Sequence, residues 1–238
     1  MSTDGSLPAW AHASTVRVLT WNIWNGGEGR LDAIENVVRE QEAEVVALQE
    51  ANDRTAVETL GARLGMDVVY GEANSAFAVA WLSRAPVTRA QNHRLPVLEK
   101  TLLEVEAGGM RLFATHLSAG RTKTHEPHRI AEAEAILDVA GDGDLLVGDF
   151  NAVHPDDEVG APPPEEQLDH VSRGPVELVL EAGFVDCYRE LHPRDRGWTY
   201  LSAHPWARLD YIFAPRVPRS CAVVETQASD HFALVADF

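Results

Sequence analysis

Short apolar runs rich in β-branched residues alternate along the chain with stretches of helical spacing. Residues 16–20, 44–48, 67–70 and 77–82 read as strands. So do 102–105, 110–115, 144–147, 198–201, 208–213, 222–226 and 231–237. Gly108-Gly109 is a turn between two of them. Leu31, Ile34, Val37 and Val38 share one face of a helix over 31–41, and 55–64 reads as a second helix closed by Gly65. The Ala/Glu-rich stretch 126–140, stopped by Gly141, predicts a third helix, and 176–182 a short fourth. Residues 152–174 are Pro-rich and acidic and read as a long loop. No Gly/Ser linker and no fixed repeat divides the chain. The expectation is a flexible tail over 1–14 and a single α/β domain over 15–238. Its strands are both helix-spaced and hairpin-paired, so its sheets are mixed.

The apolar runs end in a recurring way. The first leads into Trp21-Asn22, the second into Gln49-Glu50, the strand at 110–115 into His116, and the one at 144–147 into Gly148-Asp149-Phe150-Asn151. Asp210 stands inside Leu209-Asp210-Tyr211, and Asp230-His231 precedes the last apolar run. Strand ends in α/β sheets hold their final side chains rigidly toward one place, where ligands bind. Each residue alone has a structural reading, as a solvated carboxylate or a core histidine. The joint set is what points to chemistry.

Composition narrows that chemistry. Lys and Arg number 20 against 37 Asp and Glu, a net charge of −17. This acidity weighs against a general nucleic-acid binder, because phosphates attract basic patches. The two cysteines, Cys187 and Cys221, are neither a disulfide framework nor metal-spaced. They point weakly to a reducing, cytoplasmic address. The first residues lack the basic and apolar regions of a signal peptide, and no run approaches the ~18 apolar residues of a membrane span.

Six motifs, Thr20-Trp21-Asn22, Leu48-Gln49-Glu50, Thr115-His116-Leu117, Gly148 to Asn151, Leu209-Asp210-Tyr211 and Ser229-Asp230-His231, stand in this order over nearly the whole chain. The set, with Leu82 to Pro86, resembles the endonuclease/exonuclease/phosphatase superfamily, the Mg²⁺-dependent hydrolases related to pancreatic-type deoxyribonuclease. The resemblance implies a four-layer α/β (α+β) sandwich, two packed mixed β-sheets flanked by helices. It implies cleavage of a phosphoester, with Mg²⁺, or Mn²⁺, held by Glu50, and with Asn22 and Asp230 beside it as direct ligands or through water. It further implies that His231, oriented by Asp210, is the general base or a phosphoryl contact. His116 and Asn151 would hold the non-bridging oxygens, and Asp149 would orient water or manage the leaving-group proton.

His116 stands where the DNA-repair branch has Tyr, and Trp24 where some repair nucleases carry an acidic ligand. The 152–174 loop adds Asp156, Asp157, Glu158, Glu165, Glu166 and Asp169 against Arg173, a set that would repel a long polyanion. Arg121, Lys123, His125 and His128 could meet a substrate phosphate, and Trp24, Trp198 and Trp206 could stack in the cleft. The expected substrate is therefore a small-molecule or headgroup phosphoester. Nuclease action on DNA or RNA is the alternative, and an inactive binding module of the same fold a further one.

Overall fold

In the computed structural model, residues 16–120, 122–166 and 169–238 are described. The expected tail and Arg121 lie outside them. In chain order the elements are β1 (Arg17–Asn22), α1 (Leu31–Gln41), β2 (Val45–Gln49), α2 (Arg54–Leu64), β3 (Asp67–Gly71), β4 (Val79–Ser83) and β5 (Val87–His93). There follow β6 (Leu102–Ala107), β7 (Met110–His116), α3 (Glu126–Leu137), β8 (Leu145–Asp149), α4 (Gly174–Glu181), β9 (Val185–Asp186) and α5 (Cys187–Leu191). The chain closes with β10 (Asp210–Ala214), β11 (Ser220–Val224) and β12 (Ala233–Asp237).

The strands form two six-stranded mixed sheets, ordered β11-β12-β1-β2-β4-β3 and β5-β6-β7-β8-β10-β9. Within β2 the period-2 alternation divides the side chains between two cores. Val45 and Ala47 join Val18, Trp81, Val105, Leu112, Val147 and Ile212 between the sheets. Val46 and Leu48 turn outward, under Ile34 and Val38 of α1 and Val57 and Leu60 of α2. The second sheet is covered in the same way, with Phe113, Leu146, Tyr211 and Phe213 packed under Ile136 of α3 and Val176 and Val179 of α4. Helices, sheet, sheet and helices make the four layers of the expected sandwich.

Several local expectations need correction. Residues 198–201 form no strand; Tyr200 makes only isolated bridges, to Ala207 and to His231. The reason is divided pairing. Thr199 O accepts from Phe232 N at 2.7 Å, while the Thr199 and Tyr200 N–H groups both turn to Ala207 O. β5 escaped the pattern because it is an exposed edge strand of mostly polar residues, which natural sheets favour at edges. α5 also escaped, although its signal was present. Asp186 caps it, accepting from Tyr188 N and Arg189 N.

The described residues of the 152–174 segment form a tied wall. Arg173 donates to the carbonyls of His154, Pro155 and Asp157. Glu126 at the start of α3 accepts from the N–H groups of Arg173 and Gly174 at 3.0 and 3.1 Å, and also binds His170. Burial alone would raise the Glu126 pKa; those two N–H groups and His170 outweigh it and bring it down to about 2. The loop's acidity is also less exposed than its composition suggests. Asp157 is buried against Arg208 at 2.8 Å and Arg189 at 2.6 Å, and Glu166 is buried with Tyr200 OH donating to it at 3.0 Å. Asp156, Glu158 and Asp169 remain exposed. Among the described residues, no helix is long and apolar enough to cross a membrane.

Candidate active site

The strand register assembles the site. In the second sheet His116 pairs with Asp149, and Asp149 with Asp210, so three strand ends carry one side chain each to the same edge. Parallel pairing of β1 with β2 sets Asn22 opposite Gln49, next to Glu50. Gly148 makes the closeness of β7 and β8 possible. Its φ is +142°, and a Cβ there would lie 1.9 Å from Thr115 O. The last segment is fastened to β1: Trp21 Nε1 donates to His231 O at 2.9 Å and Ser229 Oγ to Asn22 O at 2.7 Å. Glu50 and Asn151 both have positive φ, 53° and 46°, in a region that non-glycine residues seldom adopt.

Asp149 is the hub. Its Oδ2 accepts from Asn22 Nδ2 at 3.0 Å and lies 3.3 Å from His116 Nε2 and 3.8 Å from His231 Nε2. Its Oδ1 accepts from Asn151 N at 2.9 Å. Asp210 Oδ2 sits 2.8 Å from His231 Nδ1, and Asp210 Oδ1 is buried with no partner among the described residues. A carboxylate on Nδ1 fixes the tautomer, so any exchangeable proton of His231 toward the cleft is at Nε2. Asn151 Nδ2 donates to Leu117 O at 3.0 Å and lies 3.2 Å from His116 Nε2.

Burial dominates the electrostatics. It drives the His116 pKa well below the ordinary value, with Lys100 and His231 adding to it, so this imidazole is neutral. Burial also disfavours charge on His231, but Asp210 and Asp149 outweigh it and raise its pKa. Asp149 is raised by burial; the charge on His231 opposes this and that on Asp210 adds to it. A cationic imidazole thus stands between two carboxylates.

Two groups could hold a cation. Among the described residues, Asp149, Asp210 and His231 bring one ligand atom each within 4.8 Å of one another. His231 already serves these carboxylates as their counter-charge, which leaves that trio little need of a metal. Glu50 and Asp230 differ. Burial raises the Asp230 pKa; His231 opposes this, and the charge of Glu50 adds to it. Asp230 Oδ1 accepts from Ser229 Oγ at 3.3 Å, and Glu50 Oε2 from Asn25 N at 2.8 Å. Two neighbouring carboxylates at the mouth of a cleft fit a hard divalent cation, which oxygen ligands favour. Asn22, expected to meet the ion directly or through water, lies beside Glu50. Its Oδ1 is spent on Trp24 N at 3.0 Å, while Nδ2 spans Glu50 Oε1 and Asp149 Oδ2. It clasps the two carboxylates.

All eight expected site residues except Asp210 line one cleft of about 200 Å³, and Asp210 supports it from behind. Lys123, His125 and His128 are exposed and outside the lining, whereas the buried Arg129 lies in it. Of the tryptophans, Trp206 lines the cleft and Trp198 lines a separate groove. Trp24 is exposed and outside the lining, its N–H on Asn22 Oδ1, with Arg30 4.8 Å above its ring. Lys100, Phe77 and Tyr200 also line the cleft, and the sequence reading missed all three in this role. Tyr200 carried a signal, an aromatic amid the motif-bearing C-terminal third; its ring lies 4.7 Å from that of His231. Lys100 and Phe77 carried none.

No curated protein matches this chain significantly. Among solved structures, an AP endonuclease from Archaeoglobus fulgidus superposes with a TM-score of 0.77 at 20% identity, covering 93% of this chain and 98% of its own. The 3′ phosphatase NExo from Neisseria, bound to a product DNA hairpin, gives 0.77 at 20% identity, covering 94% and 99%. TDP2 from D. rerio, complexed with a single-strand DNA product, gives 0.71 at 18% identity, covering 94% and 99%. These likenesses establish the fold. A family model extends over residues 19–231, from β1 to His231, and so takes in every strand-end residue described above. The chain therefore belongs to the Endonuclease/Exonuclease/phosphatase family, whose members are hydrolases of phosphoester bonds.

Proposed function

We propose that this protein hydrolyses a small-molecule or headgroup phosphoester with a divalent cation, Mg²⁺ or Mn²⁺, and that Glu50 and Asp230 hold the ion. The observation that carries the reading is the Asp149 hub, where a carboxylate, a neutral imidazole, a cationic imidazole and an amide meet in one cleft. When bound, the cation supplies Lewis-acid charge to the phosphoryl oxygens. Asn22 holds Glu50 and Asp149 in register. Asp149, buried with a raised pKa, accepts the proton of the attacking water. His231, kept protonated by Asp210 and Asp149, presents Nε2–H to the phosphoryl group. His116 and the Asn151 amide position the non-bridging oxygens. The tied 152–173 wall, with Val153, Val171 and Ser172 in the lining, keeps the cleft small. A cytoplasmic address is part of this proposal and rests on Cys187 and Cys221 being free thiols.

Nuclease action is the second reading. It is supported by the DNA products bound to two of the solved neighbours and by the exposed Trp24, whose N–H binds the cleft residue Asn22 and whose ring could stack on a base. Parallel assays of supercoiled-plasmid nicking and bis(4-nitrophenyl) phosphate hydrolysis in Mg²⁺ separate the two, with His231→Ala as background. Nitrophenolate release without nicking is expected. Nicking by the wild type alone would make the protein a nuclease, and silence in both assays would sink the proposed activity.

A further inference from the structure

Lysine is rarely buried unless paired, because removing an ammonium from water is costly. Lys100 is 2% exposed and lines the active-site cleft. Its ammonium has three donors. One bond is made, to Leu117 O at 2.7 Å. The nearest carboxylate oxygen, of Glu99, is 3.9 Å away, beyond hydrogen-bond reach. Glu132 makes no hydrogen bond to it either; its two oxygens face Glu99 N at 2.9 Å and Ser118 N at 2.8 Å. Phe77 covers one side of the ammonium, 5.7 Å from its ring centroid. Burial lowers the Lys100 pKa, against the pull of Glu99 and Asp149. Among the described residues, then, two of its N–H groups have no protein acceptor.

Their position shows what they could meet. Leu117 O is also the acceptor of Asn151 Nδ2, so the ammonium and the amide are held side by side on one carbonyl. Next to them is His116 Nε2, 3.2 Å from the same amide nitrogen. This wall of the cleft therefore carries a cation as well as the neutral donors assigned to the phosphoryl oxygens. Counting acceptors decides what that extra cation favours. A phosphodiester offers two unesterified oxygens and one negative charge. A terminal phosphate offers three oxygens and, above a second pKa of ~6, close to two charges. The Asn151 amide, His116 and the His231 Nε2–H already serve the oxygens of a singly charged diester, and what they lack is a second positive charge for a dianion. The Lys100 ammonium supplies that charge together with its two unused donors.

We propose that Lys100 is a specificity-determining residue that makes this wall a receptor for a dianionic, terminal phosphate, either as a phosphomonoester substrate or as the monoester released from a diester. The proposal rests on the phosphoesterase reading of the cleft. Charge-assisted hydrogen bonds to a dry cation are among the strong ones, and the loss of such a contact is worth about 10- to 100-fold in affinity.

Calorimetric titration in Mg²⁺ tests it, with inorganic phosphate and dimethyl phosphate as probes, on wild type, Lys100→Met and Lys100→Arg. Lys100→Met should weaken inorganic phosphate by about 10- to 100-fold and dimethyl phosphate by less than about threefold. Lys100→Arg should stay within about threefold of wild type for both, because it keeps the charge. Thermal melting checks that each variant folds, and Lys100→Gln replaces the Met variant if that one does not. Equal losses for the two probes, no loss for either, or no phosphate binding by wild type would overturn the proposal. In the same preparations, kcat/KM for 4-nitrophenyl phosphate should fall with the phosphate affinity, and that for bis(4-nitrophenyl) phosphate should not. Lys100-dependent phosphate binding without hydrolysis of either ester would sink the phosphoesterase reading and leave the anion site standing.

Discussion

Asp149→Asn is expected to lower kcat for any phosphoester this protein cleaves by about 10³-fold, within the range that a general base supplies. The substitution keeps the shape of the side chain and removes its capacity to accept a proton. Oδ1 can still accept from Asn151 N, so the turn after β8 keeps its anchor. At the other atom an amide would face the Asn22 Nδ2 donor, now 3.0 Å from a carboxylate oxygen, and that hydrogen bond would be lost. The cost in stability is about 1 kcal/mol. Linkage limits it further. The pKa of Asp149 is raised in the folded protein, so its stabilising contribution belongs to the protonated form. That contribution is present below the ordinary carboxylate pKa and is lost as pH rises through the raised one. The asparagine resembles the protonated state at every pH. Steady-state kinetics with a melting curve on the same sample check the prediction. A loss of activity matched by unfolding would assign Asp149 a structural part only.

The second large effect is expected at a residue outside the cleft lining. Asp210→Asn should reduce kcat by about 10²- to 10⁴-fold, as removing the carboxylate behind a catalytic histidine does elsewhere. Asp210 Oδ2 lies 2.8 Å from His231 Nδ1, and its charge is the larger of the two that raise the His231 pKa against burial. With an amide in its place, burial and the single charge of Asp149 compete, and the imidazolium loses its main support. The His231 pKa should fall, which an NMR titration of the ring reads independently of activity. The backbone of Asp210 is held by Thr199 Oγ1, which accepts its N–H at 3.3 Å, and by the ladder to β8, so the strand should stay in place. An unchanged His231 titration would contradict this account of its positioning.

Asp210, which opens β10, was legible through the Leu209-Asp210-Tyr211 motif, and Asp149 for a more general reason. A strand that ends in the core must end in a polar residue where it reaches the cleft, so an apolar run followed at once by Asp, His, Glu or Asn marks the strand end and the site together. Asn22, Glu50, His116, Asp149 and Asn151 were all readable in this way, although Asn22 turned out to clasp two carboxylates. The sandwich itself was not legible from periodicity. Val45 and Val46 look alike in a buried run, and nothing local says that one faces the second sheet and the other α1. Only the resemblance carried by the motifs supplied that layer order. Lys100 stayed hidden for a related reason. A lysine between a loop and a strand reads as solvated, and its burial follows from Leu117 and Phe77, which fold over it from elsewhere in the chain. The acidic loop misled in the opposite direction, because Arg208 and Arg189 draw Asp157 inward through contacts that composition does not reveal.

The central claim is that Glu50 and Asp230 hold a divalent cation with which the Asp149 hub hydrolyses a phosphoester. Release of 4-nitrophenolate from mono- and diester substrates by chelator-treated protein, before and after Mg²⁺ or Mn²⁺ is restored, tests it most directly. The account predicts no turnover in the stripped protein, recovery on adding the ion, and no recovery in the Asp149→Asn variant. Turnover by stripped wild type at the restored rate, or recovery that does not need Asp149, would contradict it.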